Sequence, residues 1–374
     1  MERIVNHVLD RLGKVKNKTG TFQVFVGFDG YVDTLVKPVK TVAKNGQMTF
    51  FETIGEFGEY LQSKAHRSCS LELHKMDRKA GGNAAIFANA ISTMGISTNC
   101  VGAFGYPKVQ ELFKNFGDHL DIRSVSEPGY CTALEFDDGK IMLAENEGIN
   151  AMDYRVIEER IGHDNLYRMI DEADIIALMN WSEMPKCTDI WKGLQEHVFE
   201  ALPKSSRKKI FVDISDCSRR SLEDIREMMS ILREFSDYCE VTLSLNQNEF
   251  DRVYEAVSEN KEIQDIEAAG RFIRQKSELK YLVLHQMEGA VVFTEKETSF
   301  IPNYKVEHPV ISTGGGDNFN AGLVFGLMSG MDICATLYLA NAVSSYYVSH
   351  GKSPKISEII EYIYQCKEER KAVI

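Results

Sequence analysis

The chain alternates short, unbroken apolar runs with longer segments in which apolar residues recur every three or four positions. The apolar runs lie at 22–28, 174–179, 209–212, 241–245 and 281–284. They lack polar alternation, which predicts strands covered on both faces. The segments with helical spacing lie at 153–172, 186–201, 221–236 and 248–277. This alternation predicts a single large α/β domain over residues 1–374, with a mostly parallel central sheet and helices on both faces.

Two segments interrupt this alternation and have the pattern of antiparallel hairpins. Residues 34–54 contain the turn signal Asn45-Gly46, and residues 129–146 contain Asp138-Gly139. Hairpins inserted into a parallel α/β frame often cover the ligand crevice, so we expect a small β-sheet lid. A hairpin used only in an interface would have the same pattern.

Composition and charge exclude several classes of function. The net charge is −12, so nucleic-acid binding through a broad basic surface is not expected. The basic cluster at 204–209 is interpreted as a solvated turn. No apolar stretch reaches the ~18 residues of a membrane helix, and the N-terminus lacks the pattern of a signal peptide. The 8 cysteines form no CxxC pair, which indicates free thiols, no structural zinc and a reducing, cytoplasmic location. No surface pattern in the sequence decides between a monomer and a homodimer.

Carboxylate and amide side chains follow the predicted strands where the strands end. They include Asp29, Asp33, Asn180, Glu183, Asp213, Asp216, Asn246 and Glu249, with His285 after the last run. Ligands of open α/β sheets bind outside the carboxyl ends of the strands. The set therefore predicts a crevice for a polyhydroxylated ligand with Mg²⁺. A helix-capping Asp or Asn after each strand would give the same pattern.

The most informative local segment is STGGGDNFNAG at 312–322. Gly314, Gly315 and Gly316 allow another molecule to approach the backbone closely. A helical pattern follows, so the free N–H groups predict an anion-binding concavity at a helix N-terminus. Asp317 beside that anion suggests a general base that takes the proton of an attacking hydroxyl. A carboxylate that only complements the helix dipole is the alternative.

STGGGDNFNAG resembles the signature of the ribokinase-like (PfkB) carbohydrate kinases, in which a glycine-rich anion hole ends in the catalytic aspartate. Three further segments resemble motifs of that family in the same order: GGNAAIFANAISTMGI at 81–96, NQNE at 246–249 and LANAVSSYYVSHGKSP at 339–354. The resemblance covers residues 22–354. It implies a three-layer ribokinase-like fold and transfer of the γ-phosphoryl group of ATP to a hydroxyl of a small sugar-like substrate.

The resemblance also implies roles for individual residues. Asp317 would be the base, and Gly314, Gly315 and Gly316 would form the anion hole. The substrate-binding residues would be Gly82, Asn83 and either Asp29 or Asp33, because GFDGYVD has one residue more than the usual spacing. The ATP and Mg²⁺ side would include Thr313, Asn246, Glu249 and Asn341, with Glu249 acting on the metal through water. Asn246 followed by Glu249 is also the pattern of a helix capping box.

The chain departs from the family pattern at several positions. Ile311 replaces an aspartate that helps to build a monovalent-cation site in relatives, so potassium activation is not implied. Leu284-His285-Gln286 replaces the usual Thr and Gly, which makes His285 a candidate nucleotide contact. These departures leave open a regulatory member of the same fold that binds sugar or nucleotide but is catalytically impaired. A dinucleotide-dependent oxidoreductase is disfavoured because no predicted strand leads into GxGxxG.

Overall fold

The computed structural model describes residues 1–203, 208–259, 262–311 and 313–372. The strands in these residues are β1 Gln23–Phe28, β2 Tyr31–Val42, β3 Met48–Phe50, β4 Leu73–Gly81, β5 Ser97–Ala103, β6 Leu120–Ser126, β7 Gly129–Phe136, β8 Gly139–Glu145, β9 Ile175–Met179, β10 Lys208–Asp213, β11 Cys239–Leu245, β12 Tyr281–His285, β13 Gly289–Phe293 and β14 Thr298–Pro302. The helices are α1 Glu2–Val15, α2 Ile54–Ser63, α3 Asn83–Thr93, α4 Glu111–Lys114, α5 Glu147–Ala151, α6 Tyr154–Ile161, α7 His163–Glu172, α8 Cys187–His197, α9 Leu222–Phe235, α10 Gln247–Ser258, α11 Ile266–Lys276, α12 Gly315–Met328, α13 Ile333–His350 and α14 Ile356–Ala372.

The large sheet has the strand order β14-β13-β12-β11-β10-β9-β1-β5-β6 in the described part of the chain. Seven strands of this sheet run parallel in the described residues: β6, β5, β1, β9, β10, β11 and β12. Strands β13 and β14 extend the sheet beyond β12 with antiparallel pairing. Every residue of β9 is buried, as an apolar run without alternation predicts. The predicted α/β class with a mostly parallel sheet is confirmed.

Helices cover both faces of this sheet and enclose two separate hydrophobic cores. Successive side chains of a strand point to opposite faces. In β1, Val24 and Val26 join the core that contains α3, α12 and α13, whereas Phe25 joins the core that contains α8 and α9. The chain therefore forms three layers, helices, sheet and helices, and the central strands end between the two helical layers.

A second, smaller sheet has the order β3-β2-β7-β8, with β4 also paired to β2. The antiparallel pairs β2–β3 and β7–β8 fall at the two segments expected to be hairpins. Strand β4 was not predicted, and most of its side chains are exposed. Strand β2 begins at Tyr31, three residues after β1 ends at Phe28, so the small sheet leaves the large one where β1 ends.

The structure divides two of the predicted helical segments and corrects one local prediction. The segment 153–172 forms two helices, α6 and α7, because Gly162 between them has a φ of 85°. The segment 248–277 also contains two helices, α10 and α11. Lys208 and Lys209 of the basic cluster begin β10 instead of forming a turn, while residues 204–207 lie outside the described residues, as does Ser312 of the glycine loop.

The structure shows what the N-terminal segment, the cysteines and the longer helices form. The amphipathic N-terminal segment forms α1, which buries Val5, Val8 and Leu12. All eight cysteines are free thiols. None of the helices in the described residues combines the length and the apolar character needed to cross a membrane.

Candidate functional site

The glycine loop lies at the N-terminus of α12 and is held from behind by α13. Gly314 is the N-cap with a φ of 91°, and a Cβ at this position would lie 2.7 Å from the Tyr347 hydroxyl oxygen. Tyr347 donates its hydroxyl proton to the Thr313 carbonyl at 3.1 Å, and Ser344 donates to the Gly315 carbonyl at 2.9 Å. The N–H groups of the first helical turn have no acceptor in their own helix. The loop is therefore braced through its carbonyls, and its first-turn N–H groups lie at the positive end of the helix dipole.

Asp317 lies in the first turn of α12 and is only 6% exposed. Its Oδ1 accepts a hydrogen bond from the side-chain amide of Asn83 at 3.0 Å. Burial raises the pKa of Asp317 well above its ordinary value, and the charges of Asp213 and Asp29 raise it further. The hydrogen bond from Asn83 acts in the opposite direction because it favours the ionised form. Asp317 thus has one oxygen held by Asn83, and no bond to Oδ2 occurs within the described residues.

The structure separates the roles of Asp29 and Asp33. Asp29 is fully buried, and its carboxylate accepts hydrogen bonds from the N–H groups of Asn83 and Ala84 at 2.9 and 2.8 Å. It also accepts one from the side chain of Asn180 at 2.8 Å. Asp29 therefore binds the N-terminus of α3 instead of facing a ligand, although burial raises its pKa to about 6. Asp33, by contrast, lines the cleft.

Gly82 provides the room that brings these groups together. It has a φ of 95°, and a Cβ here would lie 2.7 Å from Asp29 Oδ2 and 3.0 Å from the Cα atom of Gly30. Its neighbour Gly81 is equally restricted, since a Cβ there would lie 2.3 Å from the Asp33 carboxylate. A side chain at either position would therefore displace a carboxylate that organises this end of the cleft.

Asn246 and Glu249 form a complete capping box at the start of α10. Asn246 Oδ1 accepts from the Glu249 N–H at 3.0 Å, and Glu249 Oε2 accepts from the Asn246 N–H at 2.9 Å. Glu249 is 3% exposed, and burial, together with the charges of Asp213 and Asp216, raises its pKa to about 8. The capping prediction is therefore correct, and the same two side chains also line the cleft.

His285 ends β12 next to the glycine loop. Its imidazole packs against the Phe319 ring with centroids 5.1 Å apart, and it lies 3.6 Å from a Cβ built at Gly316. Burial lowers the pKa of His285 to about 4, so the ring is neutral near pH 7. Its Nε2 is buried and has no hydrogen-bond partner among the described residues. His285 thus lines the cleft beside the glycine loop as a neutral side chain.

One cleft of about 770 Å³ brings most of the sequence-predicted residues together. Those in its wall are Asp33, Gly82, Asn83, Asn246, Glu249, His285, Thr313, Gly314, Gly316 and Asp317. Asp29 lies behind this wall, and a Cβ at Gly315 would face Val348 and Ser344 of α13. Asn341 is also absent from the wall: it is 1% exposed and donates to the carbonyls of Ile301 and Pro302. Asn341 thus attaches α13 to β14.

The cleft wall is strongly acidic. Among its described residues the carboxylates are Asp33, Glu183, Asp213, Asp216, Glu249 and Asp317, and Arg219, which is paired with Glu183, supplies positive charge. No group of three or more His, Cys, Asp or Glu side chains in the described part of the chain is arranged to hold a metal ion. A polyanion could enter this cleft only with a cation of its own, since the wall would otherwise repel it.

Several residues in the wall were not predicted as ligand contacts, among them Tyr31, Asn146, Ser215 and Arg219. Tyr31 lies at the start of the small sheet and Asn146 follows its last strand. In the sequence, Tyr31 has only the pattern of a strand residue and Asn146 only that of a turn residue. Ser215 donates to Asn83 Oδ1 at 3.4 Å. No local pattern identifies any of these residues, because their contacts come from segments far apart in the chain.

Comparison with known proteins places this site in a family. The sequence model of the family described as prokaryotic ketohexokinase matches residues 2–365. The chain belongs to this family. The resemblance to ribokinase-like (PfkB) carbohydrate kinases is thereby confirmed, and the protein is a carbohydrate kinase.

Individual relatives agree with this assignment. A ketohexokinase of Haloferax volcanii is 27% identical over 339 residues, which cover 90% of this chain and 89% of the relative. The fructokinase of Xylella fastidiosa with bound ATP superposes with a TM-score of 0.64 at 13% identity, covering 93% of this chain and 99% of that structure. Arabidopsis thaliana ribokinase complexed with ribose and ATP gives a TM-score of 0.63 at 17% identity, with coverages of 91% and 98%. These structures confirm the ribokinase-like fold.

Proposed function

We propose that this chain transfers the γ-phosphoryl group of ATP to a hydroxyl group of a ketohexose. The family and the Haloferax relative support the substrate class. The observation that carries the chemistry is the position of Asp317, a buried carboxylate with one oxygen held by Asn83. It lies in the first turn of a helix whose N-terminus suits a phosphate.

Asp317 is the proposed general base. Asn83 fixes Oδ1, so Oδ2 is the oxygen that would accept the proton of the attacking hydroxyl. Burial raises the pKa of this carboxyl toward the range in which a base works best near neutral pH. Burial also keeps water from competing with the acceptor hydroxyl for the carboxylate.

The glycine loop is the proposed anion hole. Phosphoryl transfer spreads negative charge over the transferring oxygens, and preorganised N–H groups stabilise that charge. The first-turn N–H groups of Gly315 and Gly316 would supply such donors, and Gly314, the N-cap with a φ of 91°, gives the loop the backbone conformation that precedes them. Tyr347 and Ser344 keep the loop in place by binding its carbonyls.

Mg²⁺ fits the chemistry of the side chains at the other end of the wall. Asn246 and Glu249 would hold it through water, because Mg²⁺ keeps much of its hydration shell and no direct ligand cage is formed by the described residues. A bound Mg²⁺ offsets phosphate charge. Glu249 is suited to this role because its neighbours Asp213 and Asp216 make the region strongly negative.

The remaining predicted residues divide between the two substrates. Asp33, Asn83 and the Gly82 backbone would bind acceptor hydroxyls, since carboxylate and amide groups match groups that both donate and accept. Thr313 and the neutral imidazole of His285 would contact the phosphates of ATP. The small sheet would close over the acceptor and limit hydrolysis of ATP by water.

The test is ADP release with Mg²⁺ and ATP over a panel of ketohexoses, aldohexoses, pentoses, sugar acids and nucleosides. We expect ketohexoses to give the highest kcat/KM, with the phosphate position on the product assigned by NMR. The variant Asp317→Asn should lower kcat by ~10²–10⁴ while ATP binding is retained. Asp332→Asn is the matched control, because Asp332 caps α13 outside the cleft.

Two outcomes would contradict the proposal. An active Asp317→Asn variant would remove Asp317 from the role of base. Tight binding of sugar or ATP without ADP release for any acceptor would identify a regulatory member of the family instead of an enzyme.

A further inference from the structure

Two polar atoms in the lid-side wall of the cleft are buried without a hydrogen-bond partner in the described part of the chain. They are the hydroxyl oxygen of Tyr31 and the side-chain oxygen Oδ1 of Asn146. Buried polar atoms in folded proteins are nearly always paired, so each exception calls for an explanation. In the wall of a binding cleft, the simplest explanation is a ligand that supplies the missing partner.

Asn146 is a helix N-cap whose side chain does not cap its helix. An asparagine at this position usually accepts a hydrogen bond from an N–H group of the first turn. Asn146 makes no such bond, although its backbone carbonyl accepts from the Asn150 N–H at 2.8 Å, so the helical turn itself is formed. The side-chain oxygen of Asn146 is therefore not used by its own helix, and the residue lies in the cleft wall.

Tyr31 is held so that its hydroxyl group has a fixed position. The residue is 9% exposed and begins β2. Its ring lies against Gly129 of the neighbouring strand β7, where a Cβ would come within 2.3 Å of Tyr31 Cε1. Burial and the nearby charges of Asp29 and Glu183 raise the pKa of the phenol, so the hydroxyl keeps its proton and can donate. An anchored donor loses little side-chain entropy when a ligand binds.

We propose that Tyr31 and Asn146 form an acceptor subsite that binds sugar hydroxyl groups other than the one that is phosphorylated. Tyr31 offers an O–H donor and Asn146 Oδ1 offers an acceptor, and a hydroxyl group can satisfy either one. Asp317 takes the attacking hydroxyl, and Asp33 and Asn83 are already proposed to bind other hydroxyls. Tyr31 and Asn146 would add contacts to the rest of the ketohexose from the side of the lid. The inference rests on the proposed function and adds two specificity-determining residues to it.

The subsite spans the two ends of the lid. Tyr31 is the first residue of β2, the first strand of the small sheet, and Asn146 directly follows β8, its last strand. Met142 and Ala144 of β8 line the same cleft, so the ligand would touch strand and cap residues together. A sugar bound by both side chains would therefore link the residue at which the chain enters the small sheet to the residue at which it leaves that sheet. Binding of the acceptor would then favour one position of the small sheet.

The experiment compares Tyr31→Phe and Asn146→Ala with two matched controls. Tyr130→Phe removes a hydroxyl from β7 that is bonded to Gln110 and lies outside the cleft wall. Asn150→Ala removes an exposed amide from the same helix as Asn146. We expect each test variant to raise the acceptor KM about 10- to 100-fold, as loss of a buried hydrogen bond predicts, and the controls to match the wild type.

Monodeoxy ketohexoses identify the contact itself. The wild-type enzyme should have a higher KM for the analogue that lacks the recognised hydroxyl than for the full sugar. The variant that lacks the partner of that hydroxyl should have the same KM for both. The KM for ATP and the thermal midpoint should stay at wild-type values, because neither side chain contributes a hydrogen bond to the fold. An effect on stability alone would indicate a structural role and refute the subsite.

The outcomes separate this inference from the function on which it rests. If the wild type phosphorylates ketohexoses and both test variants keep its acceptor KM, the subsite is refuted and the proposed function stands. If the wild type phosphorylates no ketohexose, the proposed function fails, and the subsite as a ketohexose site fails with it.

Discussion

Removing the amide of Asn83 tests whether this residue tunes the base. In the variant Asn83→Ala, Asp317 Oδ1 loses the hydrogen bond that it accepts at 3.0 Å, while the backbone N–H of residue 83 can still donate to Asp29. The lost bond stabilises the ionised carboxylate and not the protonated form. Its removal therefore raises the pKa of Asp317, which burial already holds above its ordinary value.

The size of the effect follows from the charge on the acceptor. A hydrogen bond to a charged group contributes ~1.5–3 kcal/mol, and 1.4 kcal/mol is about a factor of ten. The ratio of ionised to protonated Asp317 should therefore fall about 10- to 100-fold at any fixed pH. At pH values below the pKa of Asp317, the rate of Asn83→Ala should be lower than that of the wild type by the same factor. At pH values well above that pKa, the rate of the variant should return to most of the wild-type rate.

The assay is kcat/KM for the best acceptor as a function of pH, measured by coupled ADP release. We expect the acid limb of the profile to move to higher pH in Asn83→Ala. Asn89→Ala is the control, because Asn89 lies on the same helix but outside the wall that contains Asp317. A raised acceptor KM with an unmoved acid limb would show that Asn83 only binds the sugar, and the reasoning about the base would be wrong.

Three further predictions address the metal side, the glycine loop and the buried acids. Glu249→Gln keeps a side chain that can cap its helix but removes the carboxyl group that a bound Mg²⁺ would ionise, so we expect a higher Mg²⁺ concentration for half-maximal rate. An unchanged Mg²⁺ titration would leave Glu249 as a cap only. Gly314→Ala places a Cβ on a residue with a φ of 91° and 2.7 Å from the Tyr347 hydroxyl oxygen, so we expect strain of ~1–2 kcal/mol, a lower kcat and a lower thermal midpoint. Gly20→Ala is the control, because a Cβ at Gly20 would have no atom within 4 Å, and it should show none of these effects. Asp29 and Asp213 have pKa values raised to about 6 in the folded chain, above the unfolded value of 3.8, so the folded state binds more protons. The free energy of unfolding should therefore fall as pH rises from about 4 to above 6, and a denaturant series in which it rises instead would contradict this.

The glycine loop and the acid that follows it could be located from the sequence because their signal is local. Consecutive glycines before a helical pattern indicate a loop at a helix N-terminus, where the first N–H groups have no acceptor in their own helix. Asp317 comes directly after the last glycine of that loop, so it lies in the same first turn of α12. The parallel strands could also be predicted from the sequence. A strand covered on both faces is apolar along its whole length, as β9 is.

The carboxylates near the small sheet could not be predicted in the same detail. The sequence left Asp29 and Asp33 as alternatives, and only the docking of α3 shows that Asp29 is occupied by the N–H groups of Asn83 and Ala84. Strand β4 was missed because its side chains are mostly exposed, so it carries little apolar pattern. Its pairing with β2 joins Asp33 to Lys79 across more than forty positions of the chain.

The sequence by itself determined the layered α/β fold, the glycine loop and the acid that follows it, because apolar period and glycine content act over a few neighbouring residues. The tertiary structure alone decided which carboxylate faces the cleft, that Asn341 serves the packing of α13, and that Tyr31 and Asn146 share a wall. Those outcomes depend on which distant segments pair and dock, and on the bonds that remain for each polar atom once they have done so.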